Sequence, residues 1–126
     1  PTLIIFYRGG WCPYCNLHLS ELQTIEADIM KLGYQIIAIS PDSPENLAAS
    51  VSKNKLNYLL LSDSGSEASK AFGLAFRAPD RYTELLQKAS GGNNSATLPV
   101  PGVFVVNVEG EIVFEYINPD YKKRMK

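Results

Sequence analysis

Thr2-Leu3-Ile4-Ile5-Phe6-Tyr7-Arg8-Gly9-Gly10-Trp11-Cys12-Pro13-Tyr14-Cys15 is the stretch whose reading decides the fold. Its first six residues are almost continuously apolar, as a strand buried on both faces of a parallel sheet requires. Arg8-Gly9-Gly10 breaks that run. From about Pro13 the period becomes helical, with Leu19, Leu22, Ile25 and Ile29 at steps of three, three and four and with Glu21, Glu26 and Asp28 off the stripe. Gly33 stops the helix. A Cys-x-x-Cys pair therefore falls between a buried strand and the start of an amphipathic helix.

Outward from this unit the alternation continues. Tyr34 to Ser40 reads as a second strand. Ser43 caps a helix that has Pro44 at its first position and runs to about Lys53. Tyr58 to Leu61 is a third strand, Ser64 to Phe72 a short helix closed by Gly73, and Pro79 to Lys88 another helix. Ser90-Gly91-Gly92-Asn93-Asn94-Ser95 is a flexible loop tip. Gly102–Asn107 and Glu111–Tyr116 are strands whose short connection, Val108-Glu109-Gly110, permits only an antiparallel hairpin. The expected class is α/β: a thioredoxin-like fold with a central, mostly parallel sheet, an antiparallel C-terminal hairpin and helices on both faces.

The 126 residues, 45% hydrophobic and 20% charged, amount to one domain, 1–126. With a net charge of −1 and no basic stripe longer than Lys122-Lys123-Arg124, nucleic acid is not an expected partner. No apolar run approaches the ~20 residues that span a bilayer, so no membrane is expected either. The chain starts at Pro1, almost on its first strand, and ends soon after Asn118-Pro119-Asp120. Both ends read as trimmed. The expected location is cytoplasmic, and a removed leader is compatible with it.

The chemistry sits in Cys12 and Cys15, the two cysteines of the chain. A thiol with a pKa near ~8.5 needs help to become the reactive thiolate. A helix start supplies unpaired N–H groups and partial positive charge. Pro13 suits the first helical position, and Arg8 adds a positive charge on the preceding loop. Cys12 caps the helix and is expected to be the more exposed sulfur. Cys12, Cys15 and His18 have the spacing C-x-x-C-x-x-H, but no second histidine or third cysteine exists to complete a zinc site, so no metal is expected. Nor is any organic cofactor implied.

Cys12-Pro13-Tyr14-Cys15 resembles the glutaredoxin dithiol, and Trp11 before it is similar to thioredoxin. The body of the chain resembles the peroxiredoxins of the alkyl hydroperoxide reductase/thiol-specific antioxidant family more closely. Phe6-Tyr7, Ile37-Ala38-Ile39-Ser40-Pro41-Asp42-Ser43, Leu59-Leu60-Leu61-Ser62-Asp63, Ala68-Ser69-Lys70-Ala71-Phe72-Gly73 and Gly102–Asn107 carry that likeness. In the register it implies, Cys15 falls on the peroxidatic cysteine, Cys12 on a threonine, Arg8 on a proline and His18 on a glutamate. Val100-Pro101 stands where peroxiredoxins have an arginine and thioredoxins a cis-proline, which implies a cis Val100–Pro101 bond beside the dithiol.

The resemblance implies a thiol-dependent antioxidant that reduces hydroperoxides through a Cys12/Cys15 disulfide cycle, with a thioredoxin-like reductant. A protein disulfide oxidoreductase is the alternative, and a non-catalytic redox-sensing module a second. Trp11 is expected to shield the dithiol. Tyr7 reads equally as core or as site. His18 and Arg77 are weaker candidates, better read as helix surface and solvated loop. Residues 74–98 exceed a minimal connection and read equally as lid or passive insertion. An oligomer is compatible with everything above.

Overall fold

The computed structural model describes residues 1–94 and 96–117. The expectations about the tail beyond Ile117, and about Ser95 at the loop tip, fall outside the described residues.

The strands are β1 (Thr2–Phe6), β2 (Gln35–Ser40), β3 (Leu59–Ser62), β4 (Ala75–Arg77), β5 (Thr97–Pro99), β6 (Gly102–Val106) and β7 (Ile112–Ile117). The helices are α1 (Pro13–Lys31), α2 (Pro44–Asn54), α3 (Glu67–Ala71) and α4 (Thr83–Ala89). The main sheet has the order β3-β2-β1-β6-β7. β1 pairs parallel with β2 and β2 parallel with β3, while β6 and β7 add an antiparallel hairpin to the other side of β1. This is the expected thioredoxin-like arrangement. β4 and β5 form a separate two-stranded sheet that the residue pattern did not foretell.

Central β1 buries both faces, as its unbroken apolar run requires. Ile5 and Tyr7 join Leu19 and Leu22 of α1, Leu47 of α2, and Ile36, Ala38, Leu60 and Val103 of the sheet in one core. Phe6 points the other way, to Phe104 and Leu74, with Phe72 and Ala68 of the α3 region packed on them. Helices therefore cover both faces.

Two details depart from the sequence reading. The buried stripe of α1 is Cys15, Leu19, Leu22 and Glu26. Ile25 is 48% exposed and Glu26 only 9%. The stripe is set by Cys15, which the apolar count did not include, and its steps of four, three and four carry the buried face to Glu26. Ile25 instead lines an open apolar cleft of about 710 Å³ with Leu3, Ile5, Ile29, Val103 and Val105. The third helix is only Glu67–Ala71, because Ser66 before it is left-handed (φ 59°). The Asp63 carboxylate accepts the N–H groups of Ala68 and Ser69 and fixes that start.

Candidate active site

Pro13 has no N–H to satisfy and a preset φ, so α1 starts there. Cys12 is its N-cap in an extended conformation. Cys12 donates its N–H to the Gly9 carbonyl (3.1 Å) and accepts the Asn16 N–H on its own carbonyl (3.0 Å). It thus closes a turn of the loop and opens the helix. Cys15 follows three residues on, a spacing that puts neighbours on one helix face. The Arg8 N–H donates to Cys15 Sγ at 3.4 Å.

Both sulfurs lie inside the protein: Cys12 is 2% exposed and Cys15 0%. Cys12 is the less buried of the two, in the expected order, but by so little that neither sulfur is open. Both cysteines belong to the core cluster of Ile5, Tyr7, Leu19 and Ala38, which accounts for their burial. Trp11 packs against that cluster and also against Ala78, Leu86 and Leu98 of the 74–98 segment. The Arg8 guanidinium lies 5.4 Å from the Trp11 ring centroid and 4.8 Å from that of Tyr82. The two rings are themselves 5.7 Å apart. Aromatic faces attract a guanidinium through their quadrupole. Arg81 also stacks on Tyr82. Hydrogen bonding from Arg81, and then from Arg8, holds the Tyr82 phenol below its ordinary pKa.

On the inner side, Tyr7 is fully buried in the cluster that contains the cysteines. Burial pushes its phenol well above the ordinary range, and the nearby Asp42 and Cys15 push it further. Tyr7 is thus both core and flank of the site. Burial likewise raises the Asp42 carboxyl to about 6, against the opposing hydrogen bond from Gly10.

The Gly9-Gly10 pair follows from close approach. A side chain on Gly9 (φ 153°) would meet the Trp11 indole and Asp42 Oδ1, and one on Gly10 would meet Ser50 Oγ. Gly9→Ala is expected to displace Trp11 and to lower stability by about 1–3 kcal/mol. Chemical denaturation together with tryptophan fluorescence, from the chain's one tryptophan, checks both effects.

The remaining candidates are placed as follows. Pro13 is exposed at the helix start. His18 is half-buried and lines the apolar cleft with Leu22 and Ile25. Arg77 is exposed at the end of β4, 3.7 Å from Asp80, in keeping with its solvated reading. Pro101 is buried at the entry to β6, but the described residues contain no cis peptide bond. The expected cis Val100–Pro101 bond is therefore corrected to trans. Trans is the lower-energy form of an X–Pro bond, and a proline at the first position before a strand needs no cis bond to enter it. Among the described residues no group of three or more His, Cys, Asp or Glu is placed to hold a metal.

Sequence reasoning missed Tyr82, Asp42 and Asn16 as neighbours of the dithiol. Asp42 lay in the quoted Ser40–Ser43 turn and Asn16 one residue beyond Cys15. For Tyr82 no residue pattern pointed to the cysteines.

A thioredoxin-like sheet with a dithiol at the start of its first helix defines the class of the molecule. The chain belongs to the AhpC/TSA family, whose profile matches residues 1–115. It is 35% identical over 73 residues to a putative peroxiredoxin bcp of Haemophilus influenzae, covering 58% of this chain and 47% of that protein. It is 28% identical over 117 residues to the putative peroxiredoxin Rv2521 of Mycobacterium tuberculosis, covering 93% of this chain and 68% of the relative. The chain thus spans about half the length of the bcp relatives it matches. The solved structure of the Xanthomonas campestris bacterioferritin comigratory protein superposes with a TM-score of 0.76 at 17% identity, over 98% of this chain and 69% of that one. This last likeness supports the fold.

Proposed function

We propose that the chain is a peroxiredoxin-like thiol peroxidase that works through Cys12 and Cys15. The observation that carries the reading is the backbone N–H of Arg8 on Cys15 Sγ, at a helix start, in a chain of this family. A thiolate attacks the terminal oxygen of a hydroperoxide. The O–O bond breaks, the alcohol leaves with a proton, and the sulfur becomes a sulfenic acid. The second thiol condenses with it, forming the Cys12–Cys15 disulfide and releasing water. An external dithiol of the thioredoxin type then restores both thiols by exchange. Such a cycle suits a reducing compartment such as the cytoplasm. No helix among the described residues is long and apolar enough to cross a membrane.

Disulfide exchange with a protein is the second reading, favoured by the dithiol spacing itself. Burial of both sulfurs weighs against it, because a protein disulfide must reach the attacking sulfur, whereas a small peroxide needs only a narrow path. A peroxide consumption assay with a thioredoxin system, run beside a protein disulfide reduction assay, separates the two. Peroxide turnover is the expected result. Fast disulfide reduction without peroxide turnover overturns the peroxidase reading, and inactivity in both assays leaves the redox-sensing module.

A further inference from the structure

Asp42 lies in the loop between β2 and α2, yet its side chain serves the cysteine loop. It is 2% exposed. Its Oδ2 accepts the Gly10 N–H at 2.8 Å. Gly10 is gripped from the other side too, since its carbonyl accepts from Asn16 Nδ2 at 2.7 Å, and Asn16 Oδ1 accepts from Asn54 Nδ2 of α2 at 3.3 Å. Asp42 is itself held firmly. Its N–H donates to Ser40 Oγ (3.3 Å), and its carbonyl accepts from Ser62 Oγ (2.6 Å). The other carboxylate oxygen, Oδ1, is buried and has no hydrogen-bond partner among the described residues, and the same is true of the Trp11 indole nitrogen. Both atoms border the space that a Gly9 side chain would fill.

We propose that Asp42 is the positioning residue of the dithiol: its carboxylate clamps the Gly10 peptide, and with it the Gly9–Cys12 turn that presents Cys12 at the start of α1. This rests on the reading of Cys12 and Cys15 as the reactive pair. The clamp acts through the loop and touches neither sulfur in the contacts above. A hydrogen bond to an ionised acceptor is roughly twice as strong as a neutral one, so the clamp is tightest when Asp42 is charged. Its titration near pH 6 then falls where it alters loop order. The titratable groups around it are Tyr7 following β1, Cys15 of α1 in range of that phenol, and Lys53 of α2 and Lys88 of α4, which line the same cleft beside Asp42.

Positioning and simple charge make opposite predictions. A negative charge near a thiol disfavours the thiolate, so removing it would speed thiol chemistry. Removing a clamp would slow it. The test is the rate of iodoacetamide alkylation of the reduced protein between pH 5 and 8, for wild type, Asp42→Asn and Asp42→Glu. This readout does not depend on peroxide turnover, so loss of the peroxidase reading would leave it interpretable. The expected wild-type rate is about fivefold above that of Asp42→Asn at pH 7.5, the ratio falling to near one below pH 5 as wild-type Asp42 protonates. Asp42→Glu should restore a pH-dependent advantage over Asn. An Asn variant that reacts faster than wild type at pH 7.5, or two profiles that superimpose throughout, would overturn the proposal. Asn keeps an acceptor for Gly10, so the variant is expected to fold, and a circular dichroism melt verifies it.

Discussion

Cys15→Ser is expected to lose reduction of a small hydroperoxide by about a thousandfold or more, the scale on which removal of a nucleophile is felt. Cys12→Ser should retain a single-turnover reaction and lose only the recycling step. Two observations favour this division. Cys15 Sγ receives the Arg8 N–H, and a donor aimed at a sulfur stabilises negative charge on it. The register that the resemblance to peroxiredoxins implies would also put Cys15 on the peroxidatic position, and a serine at Cys12 would then place a hydroxyl where the resemblance implies a threonine. The structure removes the exposure argument for Cys12, since neither sulfur is open. The check is sulfenic acid trapping after one addition of peroxide to each reduced variant. Trapping only in the protein that retains Cys12 would make Cys12 the nucleophile. Trapping in neither, with disulfide exchange still fast, would end the peroxidase reading.

How far the residues disclosed this site depends on the range of the interactions involved. The strand, the Gly-Gly break, the dithiol and the helix start are governed by local rules of periodicity and capping, and all lie where the chain order placed them. What the order could not carry were contacts closed by distant segments. Ile25 looked like core because the apolar stripe was counted from Leu19; counted from Cys15, the buried face passes to Glu26. Residues 74–98 gave a helix at about the right place but no β4–β5 pairing, since three-residue strands carry too little pattern to read. That pairing and α4 together bring Tyr82 onto Arg8 and Trp11. The Gly-Gly pair read as a break; only the packed structure shows that Asp42 and Ser50 leave no room for side chains there.

Trp11→Ala is expected to lower stability by about 3 kcal/mol and to open the dithiol. Trp11 joins two packed groups, the core cluster with both cysteines and the Ala78, Leu86 and Leu98 cluster of the 74–98 segment. Truncating a large aromatic side chain between them removes its burial and leaves a cavity, which typically costs about 3–5 kcal/mol when the ring is wholly buried. Trp11 is half-buried, which places the expected cost at the low end. That figure includes about 0.5–1 kcal/mol for the lost guanidinium contact. Arg8 and Tyr82 would still face each other, so part of this packing persists and the protein is expected to remain folded. Access should change with reagent size. A bulky aromatic disulfide reagent should react with the reduced variant about tenfold faster than with wild type, a factor equivalent to ~1.4 kcal/mol. Iodoacetamide should gain much less. Tyr82→Ala should act in the same direction and more weakly, because Arg8 and Trp11 keep their contact. Equal acceleration of both reagents would mean that the variant loosens the whole core, and no acceleration of the bulky reagent would mean that Trp11 is not what covers the sulfurs.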